Sequence, residues 1–576
     1  MSDKKTIITG KNRIIKREKM IATLFLVSIS VAYLVCSPIG VDMDFHVLRI
    51  GELGKELGRI KDFSDFPVYM YRDVYYHYGY PIPIFYCALF LYPFALLVLC
   101  GMKALTAYKL MVLTLLWATF FMCKACVCYW SKDKELAFRV AFIYAAQPYF
   151  LMDLFVKASI GEAFAFLFVP VVTLGYLLIS RRAEQRRDYA NGIIILALGV
   201  NGVICSHVIS TIMVVGVLVI VFLVDLINKN GKVKLVFGSV AAALLCMGLS
   251  LWYILPMIEQ FSNYKYHAQI GTTLSHAPEN VFALLLPMHV SIALSAIIGR
   301  NIPLSEVGGA PVIMILFVMV LYAKGWLKEL VKKEKAFLLI YLILVIMMSI
   351  GFVWIPFEKI FGFMQFTWRI YFIAALAGTA FIIHIIHRNN TSELYFVVAT
   401  ITIVCGIYIL FTCFGYFFVR DTLPKLLGKE VVERGYREET TDNLYIPQNI
   451  DPNSLSTRQR VVTYDSKNIV CCYEINEKDG DVVINIIENE SSSDVMIGIP
   501  FIMYQGYEAK SEDNVVSYDV ITDNEGMTSL ILPKYEVGRM RVRYGGTCIQ
   551  RWSYYASLVI VIMILGAYFI RRKLLK

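Results

Sequence analysis

Residues 21–50, IATLFLVSISVAYLVCSPIGVDMDFHVLRI, join an apolar run of membrane-spanning length to a stretch rich in ionisable side chains. Within a bilayer a segment must satisfy its own backbone, and this run is too uniformly apolar for a barrel strand, so it predicts a helix. The helical spacing of apolar residues then continues beyond the run. It predicts an amphipathic helix on the membrane surface, with its apolar face at Phe45, Leu48, Leu53 and Leu57.

The whole chain has the composition of a polytopic α-helical membrane protein. Of its 576 residues 58% are hydrophobic, 14% are aromatic and only 17% are charged. About thirteen apolar segments have a length suited to a bilayer. Cytoplasmic termini require an even number of crossings, so we expect about twelve crossings and one re-entrant element. Residues 81–103, interrupted by Pro81, Pro83 and Pro93, are the candidate for that element.

The basic residues indicate orientation rather than a nucleic-acid partner. The net charge is +10, but the Lys and Arg residues cluster in the N-terminal tail, in short turns such as RRAEQRR from Arg181, and in the final RRKLLK. This is the positive-inside pattern, with both termini on the cytoplasmic side. We therefore expect the lipid bilayer, and no nucleic acid, as the surrounding partner.

Changes in pattern divide the chain into segments. Residues 1–19 form a basic cytoplasmic tail, residues 20–418 a transmembrane domain with outer loops 39–80 and 259–305, and residues 553–576 a final span with a basic tail. In residues 419–552 the apolar period changes to two, with turn signals at Asp479-Gly480 and Asn524-Glu525-Gly526. That segment predicts a small extracytoplasmic β domain before the last span.

The cysteines predict no metal site. Most of the thirteen lie within apolar segments, and Cys123, Cys126 and Cys128 lack His or acidic neighbours, so we interpret them as packing residues. In the β domain, Cys548 with Cys471 or Cys472 is the pairing that oxidation would permit. The chain also lacks a phosphate-cradling glycine loop and a zinc spacing, which argues against a cytoplasmic nucleotide-sugar enzyme.

Ionisable residues near the spans concentrate on one side of the expected topology. Such residues are costly in a membrane and usually functional. The ionisable residues expected on the outer side are Asp42, Asp44, His46, Arg49, Asp153, Lys157, Glu162, His207, Glu259 and Arg369. This distribution predicts a water-filled cavity that opens to the outside and carries both carboxylates and cations.

Acids and cations beside lipid suit glycosyl transfer from a polyprenyl-phosphate sugar. A carboxylate would accept the proton of the acceptor hydroxyl, and Arg or Lys would stabilise the departing lipid phosphate, as in the base half of an inverting glycosidase. No cofactor is required for this reaction. A divalent cation could nevertheless be held by Asp42, Asp44 and His46.

Six motifs, spread over most of the chain, carry a family resemblance. They are GVDMDFHVLRI from Gly40, HYGYPIPIFY from His77, PYFLMDLFVKASIGEAFAF from Pro148, SHVIS from Ser206, WYILPMIE from Trp252 and MQFTWRI from Met364. The chain resembles the bacterial 6-pyruvoyl-tetrahydropterin-synthase-related membrane proteins and the YfhO-like proteins, which look like GT-C glycosyltransferases. The segment after residue 419 is similar to the outer domain of YfhO-like members. The resemblance implies a multi-pass protein of the bacterial plasma membrane that acts on a cell-envelope glycan, polymer or lipid acceptor.

The resemblance also assigns roles to residues and favours Asp42 over Asp44 as the base. The expected catalytic residues are Asp42, Asp44 and His46, the donor phosphate and lipid contacts are Arg49, Lys157 and Arg369, and the substrate pocket is lined by Tyr78, Tyr80, Glu162, His207, Gln365 and Trp368. The chain departs from the family at Lys157, where Arg is usual, and at Thr367, where Pro is usual. Lysine lacks the bidentate fork of arginine, which weakens the assignment of Lys157 to the phosphate.

Structural roles compete with several of these assignments. Asp42 and Asp44 could cap the surface helix, Glu162 could pair with Lys157, and Arg369 could anchor a span at the interface. His46 could be an interfacial polar residue, and His207 could pack between helices. At the level of function, a lipid-linked glycan flippase and a noncatalytic envelope assembly protein remain the alternatives. A flippase, however, predicts internal repeats and midplane charges that the sequence does not display.

Overall fold

A computed structural model of the chain describes residues 2–35, 40, 42–228, 232–269, 274–276, 307, 310–389, 400, 403, 407, 443–465, 467–476 and 479–574. Most of the expected outer loop 259–305, the apolar stretch 390–418 and the first part of the expected β domain, 419–442, therefore lie outside the described residues. The described chain is mostly helical, with a small β region near its C-terminus.

The helices follow one another in chain order with short connections. They are α1 (Ser2–Val35), α2 (Met43–Arg59), α3 (Ile82–Phe85), α4 (Tyr92–Leu99), α5 (Ala104–Ser131), α6 (Lys134–Ala145), α7 (Pro148–Phe155), α8 (Ile160–Arg181), α9 (Arg186–Ile204), α10 (Val208–Asn228), α11 (Lys232–Asn263), α12 (Ala310–Ala323), α13 (Lys332–Ser349), α14 (Glu358–Phe361), α15 (Tyr371–Asn389) and α16 (Cys548–Leu574). The sequence separates a tail from the first span, whereas α1 runs through both without a break.

The chain divides into two compact units. The first comprises Met1–Asp44, Lys109–Ala243 and Gly271–Gly435, and the second comprises Phe45–Tyr108, Leu244–Ile270 and Tyr436–Lys576. The sequence assigns loop 39–80 to the transmembrane domain, but most of that loop belongs to the same compact unit as the β region. The helical and β segments of the second unit thus form one body despite their distance along the chain.

Several described helices have the dimensions of membrane spans. Six are long and apolar enough to cross a bilayer, and a seventh candidate is α13 with the segment that follows it, bent by 96°. They include Ala104–Ser131, Ile160–Arg181, Val208–Asn228, Lys232–Asn263, Thr367–Arg388 and Cys548–Ala567. Residues 81–103 are broken into short helices, α3 and α4 among them, as their prolines predict. The expected twelve crossings remain a prediction, because part of the apolar sequence lies outside the described residues.

Helices α8 and α9 of the first unit pack closely because glycines remove side chains from their contact. A Cβ atom on Gly175 would lie 2.6 Å from the Cα atom of Leu196, and one on Gly192 would lie 2.8 Å from the Cβ atom of Leu178. Small residues at such positions let membrane helices approach backbone to backbone, and close packing then holds the pair together.

Two antiparallel sheets make up the β region of the second unit. The strands are β1 (Ile469–Asn476), β2 (Asp481–Asn489), β3 (Val495–Ile502), β4 (Tyr507–Ser511), β5 (Ser517–Tyr518), β6 (Val520–Thr522), β7 (Met527–Leu532) and β8 (Gly538–Tyr544). Five strands form one sheet in the order β1-β2-β8-β4-β5, and three form the other in the order β3-β7-β6. Alternate residues such as Val482, Ile484 and Ile486 of β2 enter the shared core.

The turn residues behave as the sequence predicts. Gly480, between β1 and β2, and Gly526, between β6 and β7, adopt positive φ angles of 65° and 82°, a conformation that glycine reaches without strain. Cys471, Cys472 and Cys548 are free thiols, so the pairing considered from the sequence does not occur in this structure.

The glycine contact between α8 and α9 generates a stability prediction. Gly175→Ala forces a methyl group against the backbone of α9, and we expect it to lower the free energy of unfolding by about 1–3 kcal/mol. Gly216→Ala in α10 is the matched control, since a Cβ atom there meets nothing within 4 Å. Unfolding in mixed micelles with increasing SDS, followed by circular dichroism, measures both. Equal stability of the two variants would contradict the packing argument.

Candidate functional site

The turn before α2 is held against the segment that follows α7. The Asp42 backbone N–H donates to the carbonyl oxygen of Lys157 at 2.9 Å. A Cβ atom on Gly40 would lie 2.5 Å from the Cβ atom of Ala158, so this close approach requires glycine. The side chain of Asp42 is exposed, whereas Lys157 is buried. The backbone of a residue with an exposed carboxylate is thereby fixed to the backbone of a residue with a buried ammonium group.

Lys157 is enclosed by opposite charge and by aromatic rings. Its ammonium Nζ lies 2.8 Å from Asp153 Oδ1, and the two side chains are 2% and 0% exposed. The same Nζ lies 3.8 Å from the centre of the Trp368 ring and donates to the Tyr149 hydroxyl at 3.4 Å. Tyr149 in turn donates to Glu162 Oε1 at 2.9 Å. We call these five residues, Tyr149, Asp153, Lys157, Glu162 and Trp368, the Lys157 cluster.

This geometry corrects one alternative from the sequence. Glu162 does not pair with Lys157; it accepts a hydrogen bond from Tyr149, and Lys157 pairs with Asp153 instead. Spacing explains the choice, because Asp153 and Lys157 are four residues apart, and Glu162 is five from Lys157. Tyr149 is the member of the cluster that sequence reasoning missed. Its spacing of four from Asp153 is the signal that places both on one helix face.

The segment 365–370 contributes a second cation to the cluster. Trp368 and Arg369 lie in the short 3-10 turn Thr367–Ile370, and the Arg369 guanidinium lies 5.6 Å from the centre of the Trp368 ring. Arg369 is partly exposed, unlike Lys157. Gln365 lies two residues before this turn and has a positive φ of 66°. That angle is uncommon for a residue with a side chain and marks a sharp change of direction.

His207 lies near the same cations without joining the hydrogen-bonded cluster. Its Nδ1 atom lies 2.9 Å from Ser210 Oγ one turn later. Burial lowers the pKa of its imidazole, and the charges of Arg369 and Lys157 lower that pKa further. The sequence interpretation of His207 as a helix-packing residue agrees with the Ser210 contact, and its substrate role remains a prediction.

An apolar cavity of about 550 Å³ adjoins the Lys157 cluster, and Tyr149 belongs to both. Residues from α6, α7, α12, α13 and α15 line it, among them Ile143, Gln147, Tyr149, Met314, Tyr371 and Thr379. Gln147 accepts a hydrogen bond from Thr379 through Oε1. Its Nε2 atom is buried and has no hydrogen-bond partner in the described part of the chain. The cavity therefore combines an apolar lining with one available amide donor.

His46 and Arg49 lie in the second unit, where Arg49 has a structural role. Its Nη2 donates to the carbonyl oxygens of Tyr86 and Cys87 at 2.8 and 2.9 Å, and its guanidinium stacks 3.8 Å from the centre of the Tyr86 ring. Nη1 lies 3.3 Å from His46 Nδ1. Arg49 is 2% exposed. The guanidinium group that the sequence assigns to the donor phosphate is therefore buried in this structure.

Tyr78 and Tyr80 are also buried in the second unit, at 0% and 1% exposure. The Tyr78 hydroxyl donates to the Arg458 carbonyl oxygen, and the Tyr80 hydroxyl accepts from the Tyr445 N–H. Both hydroxyl groups are thus hydrogen-bonded to backbone atoms in the interior of the protein. The groove role assigned by the resemblance remains a prediction.

Helix α2 differs from a simple amphipathic helix because its polar residues are buried too. Glu52 and Glu56 are 4% and 3% exposed. Burial raises the pKa of the Glu52 carboxyl, and the Lys55 ammonium at 2.8 Å opposes that shift. Asp44, in the first turn, is half-buried and favourably placed for the helix dipole. Among the described residues, no group of three or more His, Cys, Asp and Glu side chains is placed to hold a metal ion.

No protein-family model and no curated protein sequence matches this chain.

The buried pair of the Lys157 cluster generates the next prediction. Removing one partner leaves a buried uncompensated charge, so Asp153→Leu and Lys157→Met should each lower the free energy of unfolding by about 3–5 kcal/mol. The double variant should be more stable than either single variant, because neither charge then remains.

Unfolding of the full chain with SDS measures the free energy of unfolding of the two single variants and of the double variant. Lys234→Met is the matched control, since its partner Glu184 is 87% exposed and a surface pair contributes at most about 1 kcal/mol. Additive losses in the double variant would mean that the two groups do not compensate each other.

Proposed function

We propose that this protein is a membrane glycosyltransferase of the GT-C type that moves a sugar from a polyprenyl-phosphate donor to a cell-envelope glycan or lipid acceptor. The observation that carries the proposal is the buried, charged Lys157 cluster among the apolar helices of the first unit. Charges in such surroundings are costly and mark substrate sites more often than packing sites. An exposed carboxylate, Asp42, is tied by its backbone to the same place.

The partial exposure of Arg369 supports its role at the donor phosphate. Its guanidinium can form charge-assisted hydrogen bonds with phosphate oxygens and stabilise the charge that develops when the lipid phosphate departs. Lys157 is sealed and already neutralised by Asp153, so we propose that it positions the Asp42 turn instead of contacting phosphate. This revises the phosphate role that the family pattern assigns to Lys157.

Asp42 supplies the acid–base chemistry in this proposal. Its carboxylate accepts the proton of an acceptor hydroxyl while that oxygen attacks the anomeric carbon, and the bond from that carbon to the phosphate oxygen breaks. The bond electrons leave with the phosphate, whose charge Arg369 balances. The reaction inverts the anomeric centre, because a single displacement attacks from the face opposite the leaving group.

The apolar cavity beside Tyr149 supports a lipid-linked donor. An apolar cavity next to a charged cluster suits a substrate with a hydrocarbon chain and an anionic head. The buried amide donor of Gln147 suits an ester oxygen at the junction of the two parts. We further propose that the β region faces the extracytoplasmic side of the bacterial plasma membrane, where the acceptor is available, and that both termini are cytoplasmic.

Sugar release from a radiolabelled polyprenyl-phosphate hexose in proteoliposomes tests this function. Asp42→Asn should lower the rate by on the order of 100-fold or more, since it removes a general base. Arg369→Ala should lower it by on the order of 100-fold, since it removes a charge from the leaving group.

The matched controls are Asp188→Asn and Arg181→Ala, which lie away from the Lys157 cluster, Arg181 at the opposite end of α8 from Glu162. Both should retain the parent rate at equal insertion. If Asp42→Asn and its control consume donor equally, Asp42 is a helix-capping residue and the transferase proposal fails. Movement of labelled lipid across the vesicle without sugar release would favour a flippase.

A further inference from the structure

A second cavity lies within the second unit, where the end of α2, the loop after it and the junction of β8 with α16 meet. Its open volume, which includes space continuous with solvent, is about 590 Å³. Its charged and phenolic lining comes from Glu56, Arg59, Asp65, Tyr69, Arg72, Tyr544 and Arg551. The proposed glycosyl transfer uses none of these residues.

The floor of this cavity is a closed network of ion pairs. Arg59 donates to Glu56 Oε1 and to Asp73 Oδ1, both at 2.7 Å. The Arg72 backbone N–H donates to the same Glu56 oxygen at 2.9 Å. Glu56 and Asp73 are 3% and 15% exposed, so these charges satisfy each other. The floor is polar but has little charge left for a ligand.

The rim, in contrast, has two exposed groups of opposite charge. Asp65 Oδ2 accepts the backbone N–H groups of Lys61 and Asp62 at 3.0 and 3.2 Å. Arg551 uses Nη2 to donate to the Gly545 carbonyl oxygen at 2.8 Å. Within the described ranges, neither side chain has an ion-pair partner. The rim thus offers one carboxylate and one guanidinium to a ligand that carries both charges.

The cavity opens where α16 would enter the membrane. Arg551 lies in the first turn of α16, whose residues Cys548–Ala567 form a candidate span. Trp552 and Phe63 are 74% and 61% exposed, and the ring centre of Tyr554 lies 6.1 Å from that of Phe63. Exposed aromatic residues at the end of a span lie at the level of the lipid headgroups. Further along α16 the exposed side chains are apolar, with Val559, Ile562 and Met563 among them.

We infer that this cavity binds the headgroup of a phosphoethanolamine lipid. Arg551 contacts the phosphate, and Asp65 accepts hydrogen bonds from the ammonium group, while the acyl chains follow the apolar surface of α16. A phosphoglycerol headgroup lacks the cation that Asp65 requires. A phosphocholine headgroup carries a cation without N–H donors. The inference does not depend on the proposed transferase reaction.

Lipid retention by the purified full-length protein tests this inference. The protein in detergent is incubated with phosphatidylethanolamine, phosphatidylcholine or phosphatidylglycerol of identical acyl chains, and native mass spectrometry counts the lipids retained. We expect the unmodified protein to retain phosphatidylethanolamine in preference to the other two. Arg551→Gln should weaken that retention on the order of tenfold, and Asp65→Asn should remove the preference over phosphatidylglycerol.

Arg539→Gln is the matched control, because Arg539 is also exposed, at 48%, but pairs with Glu512 away from the cavity. It should retain phosphatidylethanolamine as the parent does. The headgroup comparison on the unmodified protein stands even if a variant fails to fold. Equal retention of phosphatidylglycerol and phosphatidylethanolamine overturns the inference. So does thermal stabilisation by a free oligosaccharide with no lipid preference, which would indicate a glycan site.

Discussion

The buried ammonium group of Lys157 imposes the strictest constraint on the first unit. The free energy needed to bury an isolated charge among apolar helices is far larger than a single contact contributes. Several groups must therefore surround the charge at once. Asp153 neutralises it at 2.8 Å, the Trp368 ring covers it at 3.8 Å, and Tyr149 connects it to Glu162. One charge therefore determines how α7, α8 and the turn before α15 are placed. The backbone carbonyl oxygen of Lys157 also accepts the hydrogen bond that holds the turn with Asp42.

The second unit solves a similar problem with a different result. Arg49 and Glu56 of α2 are buried, but Nη2 of Arg49 donates to two backbone carbonyl oxygens, and Glu56 accepts from Arg59. Such groups stabilise the unit without offering charge to a ligand. Asp65 and Arg551 differ because each is exposed and lacks an ion-pair partner among the described residues. Whether a charged residue near a span indicates a ligand site thus depends on how far its charge is already compensated by partners within the protein.

Local patterns predicted much of the fold. The spacing of apolar residues located α2, the prolines predicted the interruption of residues 81–103, and the period of two with its glycine turns located β2 and β8. The roles of the candidate site residues remain predictions. Arg49, Tyr78 and Tyr80 have residue types suited to a substrate site, yet each is hydrogen-bonded to backbone atoms in a packed interior. The residue type determines which bonds a side chain can form. Which partners it actually bonds to depends on residues that are distant in the sequence.

The sequence by itself determined the predominance of helices, several of them long and apolar enough to cross a membrane, the β region near the C-terminus and the concentration of ionisable residues around a few short motifs. These properties depend on hydrophobicity and periodicity, which act within a segment. Only the tertiary structure decided that Lys157 pairs with Asp153 and not Glu162, that Tyr149 joins the cluster to an apolar cavity, and that Asp65 and Arg551 share a rim although nearly five hundred residues separate them. The physical reason is that pairing and burial depend on distances between segments, which local sequence does not specify.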